Sequence, residues 1–232
     1  MYFSLIAPVA GAERDAAQVR AAGPYKEHQW LWRFFPNDPN ADRDFLFHRR
    51  DINDVPRYYL VSARLPFSPA ASWLVQTRPY APRIEPGTRL SFDLRANPVV
   101  CAKRGGKPCR DDVVMAEKKR LLGERGLKCW SEWTTDDRPA LYDLVTRVCG
   151  AWLKKRSESC GFTLNQEALR VDAYQSHMEK RQLPIERRLR FSTAEFSGVL
   201  TVEDMDCFHD TLIRGIGPAK AFGCGLLLVR RC

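Results

Sequence analysis

The residue pattern predicts an α+β fold in which the order β-α-β-β-α-β runs twice, giving two ferredoxin-like units in tandem. Three observations carry that expectation. Short apolar stretches of strand and helix character alternate along the chain, with no low-complexity segment and no apolar run near the ~20 residues of a membrane span. The 232 residues, 44% of them hydrophobic, suit one large domain or two of roughly 100 residues. Asn97-Pro98 then interrupts the pattern, so the units are read as residues 1–97 and 98–232.

Residues 2–9 are a short apolar strand, and the Ala/Gly-rich residues 10–24 read as a loop closing at Gly23-Pro24. Tyr25 to Phe35 reads as a helix, because Pro36 stops it. Residues 44–49 and 57–63 are rich in aromatic and β-branched residues and read as strands. Prolines at 66, 69, 79, 82 and 86 break up the next stretch, leaving room for a short helix over Ala70 to Gln76. Arg89 to Arg95 alternates apolar and polar residues, the mark of a half-buried strand that would complete the first unit. In the second unit, Cys101 to Arg110 reads as a basic, Gly-rich loop, and Asp111-Asp112 as the cap of a helix ending at Gly123. Residues 123–138 lack periodicity and read as an inserted loop. Pro139 to Arg156 is the clearest helix: Leu141, Leu144, Val145, Val148, Trp152 and Leu153 form one stripe. Strands over 168–176 and 187–202, a helix over Asp204 to Arg214 and a strand over 226–230 complete the pattern.

Charge points to the class of partner. The net charge of +9 is spread over both halves of the chain, which favours a polyanion, nucleic acid before a membrane surface. An ordinary basic surface has the same composition. Eight cysteines include no C-x-x-C pair, and the four histidines are scattered, so no zinc spacing is present. Met1-Tyr-Phe-Ser-Leu-Ile reads as a strand rather than a leader. A cytoplasmic protein with reduced, mostly buried thiols is therefore expected.

Four stretches carry residues suited to chemistry. In Tyr25-Lys-Glu-His-Gln-Trp-Leu-Trp-Arg33, Tyr25 and His28 are three apart and share a helix face. A phenol beside an imidazole suits proton transfer near neutral pH, and Arg33 further along suits a phosphate. His28 also falls between Trp32 and Phe35 at the edge of the apolar arc, where a packed core histidine is the alternative. Lys180, Arg181, Arg187, Arg188 and Arg190 surround a hairpin tip that suits a nucleic-acid backbone, or a solvated sheet edge protected by charge. Lys103 and Arg104, with Lys107 and Arg110, form a basic loop with the same two readings. Finally, Gly215, Gly217, Gly223 and Gly225 lie within eleven residues around Lys220. A phosphate-cradling turn and a helix C-cap leading through a bulge into a buried strand both fit that spacing.

Four segments carry a resemblance over nearly the whole chain: Met1-Tyr-Phe-Ser-Leu5; His28-Gln-Trp-Leu-Trp-Arg-Phe-Phe-Pro36 with Arg43-Asp-Phe-Leu-Phe-His48; Leu94-Arg-Ala-Asn-Pro98; and Phe196-Ser-Gly-Val-Leu200 with Arg214-Gly-Ile-Gly-Pro-Ala-Lys-Ala-Phe-Gly-Cys-Gly-Leu-Leu227. They resemble the CasE subfamily of CRISPR precursor-RNA endoribonucleases, a subunit of the Cascade complex. The resemblance implies two ferredoxin-like, RRM-related domains. It implies His28 as the catalytic histidine, Tyr25 as an aromatic near the scissile phosphate that only some members have, and Arg33 as the basic residue holding that phosphate. Gly215, Gly217, Lys220 and Gly223 fall on the family's glycine-rich loop, and Lys180 and Arg181 on its RNA-gripping hairpin. The expected function is metal-independent cleavage of precursor CRISPR RNA at the 3′ base of the repeat stem. The RNA 2′-hydroxyl is the nucleophile, and no cofactor is needed. The expected partners are the repeat hairpin and other Cascade subunits, with no membrane and a monomer when free. A non-catalytic hairpin-binding subunit of the same fold is the alternative, and a nucleotide-dependent enzyme using the glycine loop is a third reading. The 123–138 insertion departs from the shorter members.

Overall fold

In the computed structural model, which describes residues 1–36, 43–180 and 188–232 (without the side chains at 103–104, 107–108, 179–180 and 188–189), helices pack on antiparallel sheets. The first sheet has β1 (Tyr2–Pro8) between β3 (Val55–Ser62) and β4 (Trp73–Pro79), with β2 (Phe45–Ile52) at the β3 edge. Its order is β2-β3-β1-β4. Asn53 and Asp54 turn β2 into β3 with φ of 51° and 61°, the left-handed pair that a two-residue hairpin favours. α1 (Glu13–Ala21) and α2 (Pro24–Trp32) supply the other half of the core, in which Ala16, Leu31, Phe34 and Phe35 meet Ile6, Phe45, Phe47, Tyr58, Leu60 and Trp73. Pro24 stands at the start of α2, where its missing N–H costs nothing.

The second sheet places β5 (Arg89–Ala96) between β11 (Leu227–Arg231) and β10 (Arg188–Val202). β8 (Phe162–Leu164) and β9 (Arg170–Lys180) pair in succession along β10, so together they act as one interrupted strand. β6 (Val99–Arg104) and β7 (Lys107–Asp112) form a separate hairpin. α3 (Val113–Glu124), α4 (Leu141–Ser157) and α5 (Met205–Arg214) complete the elements. Asp112 caps α3 by accepting from the Met115 N–H at 2.8 Å, and Asp204 caps α5 by accepting from Cys207 N–H at 2.9 Å. Leu144, Val145, Trp152 and Leu153 of α4 enter the core with Leu90, Phe92, Phe196, Leu200, Phe208 and Leu212.

Several elements differ from the sequence-based expectation. Residues 73–79 are a strand, not the end of a helix; Trp73, Val75 and Thr77 turn to the protected face with period two. A short apolar run between prolines does not distinguish the two by periodicity. Residues 89–96 pair with β10 and β11, so a division at residue 97 would strip this strand from both hydrogen-bonded neighbours. Long-range register decides that membership, and local pattern does not encode it. Residues 13–21 form α1, which buries only Ala16 fully and so lacks a visible apolar stripe. The 101–110 loop is the β6–β7 hairpin around Gly105-Gly106. The thiols are all free but not mostly buried: Cys149 and Cys224 are buried, while Cys101, Cys129, Cys207 and Cys232 are exposed. The 123–138 segment is mostly exposed and is anchored through one residue. Trp133 is buried, with Trp130 edge-on at 5.4 Å and the Arg125 guanidinium 3.8 Å above its ring.

The two sheets join through Leu46, Val61 and Leu226, with Phe3, Tyr59, Tyr80 and Leu228 around them. Glycines permit that approach. A Cβ on Gly215 would stand 2.7 Å from the Gly225 carbonyl oxygen and 2.8 Å from Leu46 Cδ1; one on Gly223 would stand 2.9 Å from Phe47. Both glycines have positive φ, 72° and 74°.

Candidate functional site

His28 sits on the fifth residue of α2, half-buried against the end of the first core. Its ring lies 6.0 Å from Phe45 and 6.2 Å from Trp32. Trp32, one turn later, donates its indole Nε1–H to His28 Nε2 at 3.1 Å. That bond leaves the ring proton on Nδ1, which is buried without a hydrogen-bond partner among the described residues. Burial first, and the Arg43 charge second, push the imidazole down to about 4. His28 is therefore neutral at pH 7, with a lone pair on Nε2.

The helix under His28 is pinned from the adjacent position. Glu27 is buried and accepts from Arg49 Nη1 of β2 at 2.7 Å and from the Tyr58 hydroxyl of β3 at 2.9 Å. Burial, followed by the neighbouring Glu27 charge, holds the Tyr58 phenol well above its usual range. The Arg49 guanidinium has its pKa raised: burial works against the charge, and Glu27 outweighs it. This knot fixes the rotation of α2 and hence the side on which His28 emerges.

The other predicted catalytic residues are less closely associated with the imidazole. Tyr25 is one turn before His28, and its hydroxyl accepts from Gln29 Nε2 at 3.4 Å. Arg33 is exposed at the C-cap of α2. Five residues on an α-helix is a rotation of about 140° past a full turn, so Arg33 leaves by another side. The cation whose field acts on His28 is Arg43, just before β2, a residue that sequence reasoning did not select for a role. Its signal was the Arg43-Asp-Phe-Leu-Phe-His48 motif, noticed only as part of the resemblance.

α2 and β2 also pack against the turn Lys220–Phe222 of the glycine-rich segment. There a groove of about 610 Å³ is lined by Arg43, Arg110, Arg156 and Lys220, with Gly217 to Ala221 as one wall. Among the described residues no carboxylate pairs with these four cations. Burial, then Arg43 and Arg214, lowers the Lys220 ammonium. A second groove of about 350 Å³ shares Val99, Arg110, Pro218 and Ala219 with the first and adds Arg190 and Asn97. Phe191 and Phe222 wall it, stacked at 4.7 Å, and His177 continues the stack at 4.8 Å.

The glycine segment is the helix cap of one reading, and it also lines the groove. Gly215 ends α5, its N–H donating to Thr211 O at 2.8 Å, and with Gly223 it closes onto β2. Gly217 and Lys220 face the groove. Of the basic hairpin, Arg190 is exposed beside the second groove, while Lys180 and Arg188 are opposite partners on the last rung of the β9–β10 ladder. Arg181 and Arg187 lie outside the described residues. Lys103 and Arg104 end β6 before its glycine turn. His48, by contrast, is a core residue: burial first and Arg95 second push it down to about 4.

Comparison with known proteins accords with this arrangement. The profile of the family described as CRISPR associated protein matches residues 1–231. The CRISPR system Cascade subunit CasE of Escherichia coli (strain K12) is 32% identical over 208 residues, 88% of this chain and 89% of that one. The CRISPR-associated endoribonuclease Cse3 of Thermus thermophilus is 31% identical over 159 residues, 66% of this chain and 60% of that one. A solved structure of the endoribonuclease Cse3 bound to 19 nt RNA superposes with a TM-score of 0.67 at 23% identity, covering 99% of this chain and 100% of that one.

Proposed function

This chain belongs to the CasE subfamily of the CRISPR-associated proteins, and from that premise we propose a metal-independent endoribonuclease that processes precursor CRISPR RNA and remains on its product as a Cascade subunit. The endoribonuclease activity and the place in Cascade rest on the relatives. The chemistry rests on one observation: a neutral, half-buried His28 stands in the field of Arg43, which lines a cationic groove, unpaired among the described residues, between the start of β2, the β6–β7 hairpin, α4 and the glycine-rich segment. A groove of that charge suits a phosphodiester backbone.

The reaction follows from the protonation state. The RNA 2′-hydroxyl attacks the adjacent phosphorus, and His28 Nε2, once released by Trp32, accepts its proton. The P–O5′ bond breaks, a 2′,3′-cyclic phosphate forms, and the proton on His28 is available to the departing 5′-oxygen. Guanidinium and ammonium groups of the groove steady the charge developing on the phosphorane. Tyr25 stands one turn from His28 toward the same reacting group. Lys180, Arg181, Arg187, Arg188 and Arg190 supply charge for the stem phosphates, as do Lys103 and Arg104. The protein acts in the cytoplasm, as a monomer before assembly.

The same reading covers architecture. Both sheets have the strand order 2-3-1-4 when their own strands are numbered, with β8 and β9 counted as one. This supports two tandem ferredoxin-like units, the second beginning at β5 rather than at residue 98. The first lacks its second helix, because residues 63–72 form turns.

The test is a labelled repeat hairpin incubated with the protein in excess EDTA. Wild type should cut it once, at the 3′ base of the stem. His28→Ala should bind it with nearly unchanged affinity and cut about 10²–10⁴ times more slowly. Cleavage by His28→Ala at the wild-type rate overturns the site, and binding without any cleavage by wild type leaves a hairpin-binding subunit.

A further inference from the structure

We propose that Arg43 is the guanidinium that grips the scissile phosphate, the part which the sequence pattern gives to Arg33; this rests on the endoribonuclease reading above. Four observations converge on it. First, the Arg43 Nε is buried and has no hydrogen-bond partner among the described residues. Burial lowers the pKa of that guanidinium, so the cation sits partly desolvated with no anion beside it among those residues. Buried charges without partners are costly and rare, and an anionic ligand supplies what is missing.

Second, Arg43 is held in place from both ends of the site. Its neighbour Asp44 is forked by Arg64, with both contacts at 2.8 Å. Arg64 also donates to the Pro36 carbonyl at 3.2 Å, and its guanidinium lies over Trp32 at 5.5 Å and Phe35 at 5.2 Å. One arginine therefore ties the chain at residue 44 to the end of the helix that carries His28. Third, Arg43 is the charge that acts on His28, and it also acts on Lys220. Arg43 and Lys220 also line one groove, and Phe45 near Arg43 in the chain packs on the imidazole. Fourth, it lines the groove with Arg110, Arg156 and Lys220, and no acidic residue among those described lines that groove. A backbone phosphate entering there meets Arg43, and Phe45, two residues along the chain from Arg43, packs with its ring 6.0 Å from that of His28. A guanidinium can engage two phosphate oxygens at once, which fixes the phosphorus for in-line attack.

The experiment is single-turnover cleavage at saturating protein, using repeat hairpins with oxygen or sulfur at one non-bridging position of the scissile phosphate. Sulfur is a poor acceptor, so wild type should show a rate penalty with one sulfur diastereomer. Arg43→Ala should slow the all-oxygen substrate about 10²–10³-fold while raising the hairpin dissociation constant less than tenfold. The sulfur penalty should then disappear, because the contact it reports is gone. Arg43→Lys keeps the charge without the fork and should recover only part of the rate. Arg33→Ala should retain the sulfur penalty. Removing the Arg43 charge should also move the low-pH limb of the rate profile upward, since that charge lowers His28. A sulfur penalty that survives in both Arg43 variants overturns the proposal, as does its loss in Arg33→Ala instead. Wild-type cleavage by His28→Ala would overturn the underlying site independently of either arginine.

Discussion

At the scale of single residues, the proposed chemistry turns on how one imidazole is kept neutral. Trp32 donates to the nitrogen of His28 that must take a proton, and this bond favours the uncharged ring. Trp32→Phe keeps an aromatic ring and removes the donor. The His28 midpoint of the free protein, followed by NMR, should therefore rise from about 4 toward its ordinary 6.5. An unchanged midpoint would show that burial and the Arg43 charge set it without the Trp32 bond. His28 itself was legible from its place three residues after Tyr25 and in the matched motif, and the half-buried setting at the edge of the aromatic arc was legible too. Arg43 was not. Its partnership with His28 crosses from α2 to the start of β2, and no helical or strand period relates positions 28 and 43. Arg33 shares the helix with His28 and lies about 140° around it.

At the scale of elements, α2 is aimed by a polar knot rather than by its apolar stripe alone. Glu27 is 3% exposed and holds Arg49 and Tyr58 from the two neighbouring strands. Removing one member of a buried pair leaves the other charge uncompensated. Glu27→Ala should therefore cost about 3 kcal/mol or more in urea unfolding, and Glu27→Gln clearly less. A loss below about 1 kcal/mol for the alanine variant would mean that Arg49 finds solvent or Asp51, 3.3 Å away, without strain. Helices with caps and stripes were readable: α3, α4 and α5 start within two residues of their expected positions. Strands 73–79 and 162–164 were not, being short and set by partners distant in sequence.

At the scale of the whole molecule, the mixture of helices with sheets was legible and the allocation of strands was not. The strand at 89–96 alternates as a half-buried strand should, so its existence followed from sequence. Its sheet followed only from pairing with residues 194–201 and 227–231. The consequence is functional, because β5 and β11 carry the glycine segment back against β2, where it meets Arg43. Net charge of +9 predicts a polyanionic partner, and part of that charge lines one groove between the start of β2, the β6–β7 hairpin, α4 and the glycine segment.

The central claim is that the RNA supplies its own nucleophile beside His28, without a metal. It is tested most directly by a repeat hairpin with a single 2′-deoxy nucleotide immediately upstream of the scissile phosphate, incubated in EDTA beside the all-ribose hairpin. The account predicts equal binding of both RNAs, with cleavage of the all-ribose hairpin and none of the deoxy one. Cleavage of the deoxy hairpin at a comparable rate would contradict it and make water the nucleophile.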